Sequence, residues 1–91
     1  MRRLERRMPT ILHIHGWRLF FYANERNEPP HIHARKGGAD CKFWLHPESY
    51  DIEESYAFRL SPADRRAIRR IIFEHFDYIV AEYETFQRGA K

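Results

Sequence analysis

Residues 31–45 read His-Ile-His-Ala-Arg-Lys-Gly-Gly-Ala-Asp-Cys-Lys-Phe-Trp-Leu. Polar and apolar residues alternate on both sides of the Gly-Gly pair, which is the pattern of half-buried strands. Glycine accepts the positive φ that a two-residue hairpin turn requires. The segment therefore predicts an antiparallel hairpin with strands at residues 31–36 and 39–45.

The chain before this hairpin predicts two further strands. Thr10 to Ile14 is β-branched and apolar, residues 15 and 16 form a His-Gly turn signal, and Trp17 to Tyr22 is strongly aromatic. Two strands separated by about two residues form a hairpin. After the 31–45 hairpin, Tyr50 to Leu60 alternates only loosely, which fits either a fifth strand or an extended connection. The result is a meander of four or five strands.

A helix is predicted after residue 60. Ser61 is placed to cap the helix, Pro62 suits its first position, and Asp64 stands where a carboxylate favours the positive helix end. The apolar residues that follow recur at helical spacing and predict one helix of about 25 residues, ~37 Å long. We therefore expect an α+β fold, an antiparallel four- to five-stranded meander sheet with one long C-terminal helix on one face and the other face open. The apolar helix positions, with one histidine among them, are Ile68, Ile71, Ile72, His75, Phe76, Ile79, Tyr83 and Phe86.

Composition favours one small globular domain. The 91 residues are 43% hydrophobic and 15% aromatic, no apolar run is long enough to cross a membrane, and no secretion signal begins the chain. We expect a cytoplasmic protein in which Cys41, the single cysteine, is a buried small hydrophobe. A domain of this size buries a limited core, so a protein partner or a homo-oligomer would suit it.

The net charge of +3 is concentrated at one end. Residues 1–7 hold four arginines and one glutamate, and the other 84 residues hold 12 basic and 12 acidic side chains. We therefore divide the chain into a basic N-terminal extension, residues 1–7, and a single domain, residues 8–91. Either Met1 or Met8 can be the native start. An arginine-rich extension can contact nucleic acid or an acidic partner, or simply be solvated.

Strand parity sorts the side chains between the two faces of the sheet. The face turned to the helix is predicted to hold a conventional apolar core. The opposite face collects imidazoles, aromatic rings and cations, which suits binding. The predicted core positions are Leu12, Ile14, Leu19, Phe21, Ile32, Ala34, Cys41, Phe43 and Leu45, and the opposite face carries His13, His15, Arg18, Phe20, Tyr22, His31, His33, Arg35, Lys42 and Trp44.

His31 and His33 are the strongest candidates for chemistry. A stiff diproline precedes them, and on a strand the two imidazoles project from the same face, ~6.6 Å apart. Glu25, in the preceding loop, can complete a trio. The three residues can act as acid and base in metal-independent, ribonuclease-like phosphodiester cleavage, or as ligands of a zinc-like divalent metal. They can also form part of a non-catalytic binding face, with no cofactor at all.

Several further residues are predicted to bind a phosphate, a base or a protein on this face. Cations would steady a phosphate and aromatic rings would stack. Arginines in the first half of the helix can meet phosphates or an acidic partner, although a solvated helix face explains them equally well. The predicted binding residues are Asn24, Arg35, Lys36, Lys42, Tyr22, Trp44, Arg66, Arg69 and Arg70.

A group of short motifs resembles a known family. They are Met-Pro-Thr-Ile at residues 8–11, Phe-Phe-Tyr-Ala-Asn-Glu at 20–25, Glu-Pro-Pro-His-Ile-His at 28–33, Lys-Gly-Gly-Ala at 36–39 and Lys-Phe-Trp-Leu at 42–45. The chain resembles the small prokaryotic domain of unknown function 4160 family from residue 8 to about residue 83. His13, His15 and residues 1–7 lie outside the family pattern, which argues against a four-histidine metal site.

The resemblance implies a component, toxin-like or regulatory, of a prokaryotic toxin–antitoxin-type module. It implies a cognate small antitoxin-like protein as partner and no established activity. From the residues themselves we add RNA or DNA as a further expected target. The family pattern falls on Asn24, Glu25, Pro29, Pro30, His31, His33, Lys36 and Gly38.

Overall fold

The computed structural model describes residues 10–25 and 27–89, which form one antiparallel sheet and two helices. The predicted α+β class is confirmed, and the predicted basic extension lies outside the described residues. A short 3₁₀ turn at Ala23–Glu25 interrupts the connection between the second and third strands. In chain order the elements are β1 (Thr10–Ile14), β2 (Trp17–Phe20), β3 (His31–Lys36), β4 (Ala39–His46), β5 (Asp51–Phe58), α1 (Pro62–Glu74) and α2 (Phe76–Arg88).

The five strands follow one another in the sheet as they do in the chain, and every neighbouring pair is antiparallel. The turn between β1 and β2 places His15 (φ 52°) and Gly16 (φ 83°) in the left-handed region, as a two-residue hairpin turn requires. Gly37 (φ 56°) serves the turn between β3 and β4. The segment that alternates loosely in the sequence is a regular strand, β5.

A β-bulge on β5 shifts the face on which its side chains lie. Lys42 pairs with Tyr56 whereas Phe43 pairs with Glu54, so Ser55 is an extra residue on β5. Residues 52 and 54 therefore face the helices, and residues 56 and 58 face the other side. The bulge moves Tyr56 to the side of the sheet that carries the histidines.

The predicted core is confirmed. Side chains from β2, β3 and β4 pack against Ile68, Ile71 and Ile72 of α1 and against Phe76 and Ile79 of α2, all of which are buried. Cys41 belongs to this core, and burial raises the pKa of its thiol to about 12. The strand residues of the core are Trp17, Leu19, Phe21, Ile32, Ala34, Ala39, Cys41, Phe43, Leu45 and Ile52.

The prediction of one long helix is wrong, because the helical region bends at His75 (φ −117°, ψ 23°) into two helices of 13 residues each. The predicted start is correct: the Ser61 hydroxyl accepts a hydrogen bond from the backbone N–H of Asp64 at 3.1 Å. Neither proline nor glycine marks the bend, so tertiary packing sets it: both helices lay apolar residues on the twisted sheet. Within the described residues, no helix has the length and apolar character needed to cross a membrane.

The outer face, which we define as the side of the sheet away from the helices, is only partly open. Tyr22 and Glu25, which precede β3, lie against His33, and His31 and His33 are 0% and 1% exposed. The loop between β2 and β3 is fastened at Pro30, whose carbonyl accepts a hydrogen bond from the backbone N–H of Leu45 at 2.9 Å. The prediction of an open face is therefore wrong at the histidines.

Candidate metal centre

Local structure brings two imidazoles together above β3. Strand alternation directs His31 and His33 to the outer face, where their ring centroids lie 5.3 Å apart with the rings nearly perpendicular. The diproline fixes the approach to the first of them, since Nδ1 of His31 lies 2.9 Å from the carbonyl oxygen of Pro29. The sequence prediction of two imidazoles on one face is confirmed.

Glu25 reaches both imidazoles from the loop. The 3₁₀ turn holds this residue by a hydrogen bond from its N–H to the carbonyl of Tyr22, at 3.1 Å. Oε1 of Glu25 lies 2.7 Å from Nε2 of His33 and 3.0 Å from Nε2 of His31. One carboxylate oxygen therefore bridges two ring nitrogens. The three candidate ligand atoms all lie within 4.8 Å of one another.

Aromatic rings enclose this cluster. Phe20 stacks on His33 with ring centroids 5.5 Å apart, and Tyr22 meets the same imidazole edge-on at 4.6 Å. Trp44 packs against His31 at 5.9 Å. Both imidazoles are closed to solvent, whereas the side chain of Glu25 is 22% exposed. Of the three, only the carboxylate can be reached from outside, so the expected surface site is instead a nearly closed pocket.

The hydrogen bonds of His33 define its neutral form. Its Nε2–H donates to Glu25, and its Nδ1 accepts from the hydroxyl of Tyr56 at 3.3 Å. Burial is the main cause that lowers the pKa of His33, and the hydrogen bond to Glu25 opposes it only in part. Partial burial beside Asp40 raises the pKa of Tyr56 to about 12, so this hydroxyl keeps its proton. His33 is therefore a neutral, fully satisfied imidazole.

His31 is not satisfied in the same way. Because the carbonyl of Pro29 can only accept, Nδ1 of His31 donates its proton there. Nε2 of the same ring lies 3.0 Å from Oε1 of Glu25, and it is buried with no hydrogen-bond partner of acceptable geometry. A cation between these two atoms, either a proton or a metal ion, would satisfy both.

The charged side chains around the cluster also favour a cation at this position. Burial raises the pKa of Glu25, but the hydrogen bond from His33 and the nearby Lys42 outweigh it, so the pKa is lowered overall and the group is ionised. Lys42, only 6% exposed, lies 2.5 Å from Glu28 and 3.9 Å from Glu25. Counted without the imidazoles, the two carboxylates and the one ammonium leave a net charge of −1. A bound cation would offset it.

The predicted phosphate-binding cations do not converge on the histidines. Lys42 is committed to Glu28, and the ring of Trp44 lies beneath its ammonium at 4.4 Å. Lys36 lies on the helix side of the sheet, over Trp17 and 3.9 Å from Asp64. Lys36 therefore lies away from the histidines, and phosphate binding by Lys36 or Lys42 stays a prediction.

Arg35 also lies on the outer face. It donates to the hydroxyl of Tyr22 at 3.2 Å and to Asp40 at 3.3 Å, and these contacts raise its pKa against the opposing effect of burial. Asn24 is exposed in the 3₁₀ turn. Neither residue contacts His31 or His33 within the described part of the chain.

The arginines of α1 lie on the other side of the sheet. Arg65 forms two hydrogen bonds with Glu54, at 2.8 and 3.1 Å, and residue 54 faces the helices. The predicted binding residues Arg66, Arg69 and Arg70 belong to the same helix, so the structure separates them from the histidine pocket. The helical layer reaches the pocket instead through Tyr83 of α2, whose ring lies 5.7 Å from that of His31.

A model of the family described as a domain of unknown function, DUF4160, matches residues 16–84 of this chain. The chain belongs to the DUF4160 family. The match covers more than half of the sequence and includes Glu25, His31 and His33, and it confirms the resemblance read from the sequence motifs. No curated protein and no solved structure matches the chain.

Sequence reasoning missed three contributors to the site of this DUF4160 protein. Glu28 pairs with Lys42, Tyr56 hydrogen-bonds His33, and the hydroxyl of Tyr83 donates to the carbonyl of Glu28. Glu28 directly precedes the diproline, and this position in the sequence could have identified it as a candidate. Tyr56 could not be placed, because the bulge reverses its face.

Other histidines of this DUF4160 protein stay apart from the centre. His13 and His15 are exposed on the β1–β2 hairpin, and His46 pairs with Glu53 at 3.1 Å. Among residues 10–25 and 27–89, Glu25, His31 and His33 form the group with metal-ligand spacing. The argument from the family pattern against a four-histidine site therefore agrees with the geometry.

Proposed function

We propose that this DUF4160 protein is a metal-binding protein whose Glu25, His31 and His33 hold one zinc-like divalent cation. The observation that carries the proposal is the buried Nε2 of His31, which lies 3.0 Å from a carboxylate oxygen and has no hydrogen-bond partner. Two histidines and one carboxylate are an established ligand set for divalent transition metals.

The donor spacing supports this proposal. Zinc lies about 2.0–2.2 Å from nitrogen and oxygen ligands, so neighbouring ligands of a tetrahedral ion are ~3.4 Å apart. The two oxygen–nitrogen distances of the cluster are 2.7 and 3.0 Å. An outward movement of about half an ångström would open the gap to that spacing. The exposed side of Glu25 is the route by which an ion or a small substrate would enter.

Groups that hold the ligands in place are also present. Metal-bound histidines usually donate their other ring N–H to a carbonyl or another oxygen, which fixes the ring orientation. His31 already donates from Nδ1 to Pro29, and Nδ1 of His33 lies against the Tyr56 hydroxyl. Ion binding would require His33 to release its Nε2 proton and donate from Nδ1 to Tyr56 instead. When bound, the ion would supply Lewis-acid chemistry.

Metal-independent phosphodiester cleavage is less well supported. A general acid and a general base must come within hydrogen-bond reach of the substrate. His31 is 0% exposed, His33 is 1% exposed, and Lys42, the nearest ammonium, is paired with Glu28. A phosphodiester could touch Glu25 without reaching either imidazole.

Elemental analysis of protein purified without an affinity tag tests the metal proposal. We expect about one divalent ion per chain in the wild type, and at least tenfold less in His31→Ala, His33→Ala and Glu25→Gln. Glu48→Gln and His13→Ala are matched controls, because both residues are exposed and lie outside the cluster. They should retain the full metal content.

The opposite outcome is equally clear. If the wild type carries no metal, and the chelator-treated protein binds neither zinc nor cobalt(II) in a titration, the proposal is wrong. In that case a proton shared between His31 and Glu25 would fill the gap. Cobalt(II) is a useful probe because its visible spectrum reports the ligand set as well as occupancy.

A role in a toxin–antitoxin-type module, with a cognate small protein as partner, stays a prediction from the family resemblance. It is tested by expressing the chain with and without the product of the adjacent gene. We expect growth arrest by the chain alone, relief by the neighbour, and loss of arrest in His31→Ala/His33→Ala protein that still folds. Arrest unchanged in that double variant would separate toxicity from the metal centre.

A further inference from the structure

A second feature of the outer face lies at the end of the sheet that carries the Gly37-Gly38 turn. Arg18, Arg35, Asp40 and Phe58 are successive cross-strand partners from β2 to β5. Tyr56 lies in the next row, opposite Lys42, and Arg59 follows β5. We call Arg18, Arg35, Tyr56, Phe58 and Arg59 the stacking surface.

Two aromatic rings of this surface face solvent. Tyr56 is 43% exposed and Phe58 is 60% exposed, and the bulge directs both to the outer face. Residues two apart on a strand are ~6.6 Å apart, so the rings form a short row. The other exposed large side chains of the described residues, Tyr50 and Tyr78, pack against Phe76 and hydrogen-bond Ile11, respectively.

Guanidinium groups flank these rings. Arg59 lies over the ring of Phe58 at 5.5 Å, while Arg18 and Arg35 lie over Phe20 at 4.5 and 5.4 Å. Arg18 and Arg35 are direct cross-strand partners, and the carboxylate of Asp40 lies 3.3 Å from Arg35. The surface therefore carries more guanidinium than carboxylate groups.

Acidic side chains are concentrated at the other end of β5. Glu53 and Asp51 project from the outer face there, near Glu48. Within the stacking surface the acid is Asp40, whose carboxylate is paired with Arg35. The outer face is therefore divided into an acidic end and a basic, aromatic end, and the basic end is complementary to phosphate.

We propose that the stacking surface binds single-stranded nucleic acid, with bases stacked on Tyr56 and Phe58 and a phosphate paired with Arg59. Exposed aromatic side chains between arginines suit unpaired bases, whose ring faces are free, whereas the bases of a duplex are already stacked on each other. A protein interface would instead be expected to have few charges at its centre. The ligands of the proposed metal centre are not part of this surface.

Fluorescence anisotropy with a labelled, unstructured 15-nucleotide RNA, and with DNA of the same sequence, tests this proposal. Phe58→Ala should weaken binding about tenfold, because base–aromatic stacking contributes substantially per base. Arg59→Gln should weaken it several-fold and reduce the slope of log affinity against log salt by about 1. Arg66→Gln removes the same charge from α1 and should bind like the wild type.

A chelator separates this proposal from the metal proposal. RNA binding should persist in it, since no residue of the stacking surface is a candidate ligand. A protein with no metal that still binds RNA through Phe58 would overturn only the metal proposal.

The result that overturns the proposal is also defined. The nucleic-acid proposal is wrong if the wild type binds neither RNA nor DNA, or if Phe58→Ala and Arg59→Gln bind as the wild type does. It is equally wrong if a chelator abolishes binding, which would assign the nucleic acid to the metal centre. A Phe58-dependent dimer that binds no nucleic acid would assign the surface to a second copy of the chain.

Discussion

The helix-covered face and the outer face of this sheet both bury side chains, but the buried side chains differ in polarity. The first buries apolar residues such as Phe43 and Ile72 against two helices. The second buries imidazoles, an ammonium and a carboxylate beneath a loop, close to Phe20. Both Phe43 and His31 are fully buried, yet only one of them carries groups that must be hydrogen-bonded or neutralised.

This difference implies two kinds of stability. Apolar burial needs no ion and hardly depends on pH, because it arises from the transfer of hydrocarbon out of water. A buried polar cluster stabilises the fold only while its protons and charges are matched. The contribution of the helix-covered face to stability should therefore be independent of pH and of metal ions. The contribution of the histidine pocket should depend on both.

The largest effect should come from the helix-covered face. Phe43→Ala should lower the free energy of unfolding by about 3–5 kcal/mol, because it removes a fully buried ring. Urea unfolding should give the same loss at pH 7.5 and pH 5.5, with and without zinc. A loss below about 1 kcal/mol, or one that depends on zinc, would remove the distinction between the faces.

Metal addition should give the next largest effect, and only through the outer face. Zinc at about 100 times its dissociation constant should raise the free energy of unfolding by ~2.7 kcal/mol. The gain should disappear in His31→Ala and persist in His13→Ala. Thermal unfolding with and without zinc measures it, and an equal gain in His31→Ala would place the ion elsewhere.

Without metal, stability should fall as the pH is lowered from 7.5 to 5.5. The pKa of His33 is lowered from its ordinary value of 6.5, so the unfolded chain takes up a proton before the folded one does. The contribution is therefore present above about pH 6.5 and is lost below it.

Glu25 affects the free energy of unfolding at lower pH than His33 does. Its pKa is lowered from 4.5, so its contribution is lost only as the pH falls further.

Urea unfolding between pH 7.5 and pH 5.5 tests the role of His33. The free energy of unfolding should depend less on pH in His33→Gln than in the control His13→Gln. Parallel profiles for the wild type and His33→Gln would contradict the assignment of a neutral His33.

The smallest effect on the free energy of unfolding should come from removing the Tyr56 hydroxyl, which contacts His33. Tyr56→Phe removes the hydrogen bond to Nδ1 of His33 and should cost about 0.5–1.5 kcal/mol in urea unfolding. Its effect on zinc affinity should be larger, a 10- to 100-fold loss, as is typical when a contact that orients a ligand is removed. Tyr50→Phe, on the other side of the sheet, should leave zinc affinity unchanged.

Much of the candidate site could be predicted from the sequence, because its elements are local. The diproline, the His-x-His alternation on a strand and a glutamate in the adjoining loop identify His31, His33 and Glu25. The contacts of Lys42 and Tyr56 could not be predicted in the same way. They depend on how far the loop crosses the sheet and on one extra residue in β5, neither of which changes the hydrophobic pattern.

The sequence alone determined the strand alternation, the turn glycines, the helix start at Ser61 and the apolar core, since each follows from the preferences of neighbouring residues. Tertiary structure alone decided the bend at His75, the bulge at Ser55 and the closure of the loop over the histidines. These three features arise when a helix, an edge strand and a loop adapt to a twisted sheet. That packing buries a pair of imidazoles that strand alternation alone would leave on an exposed face.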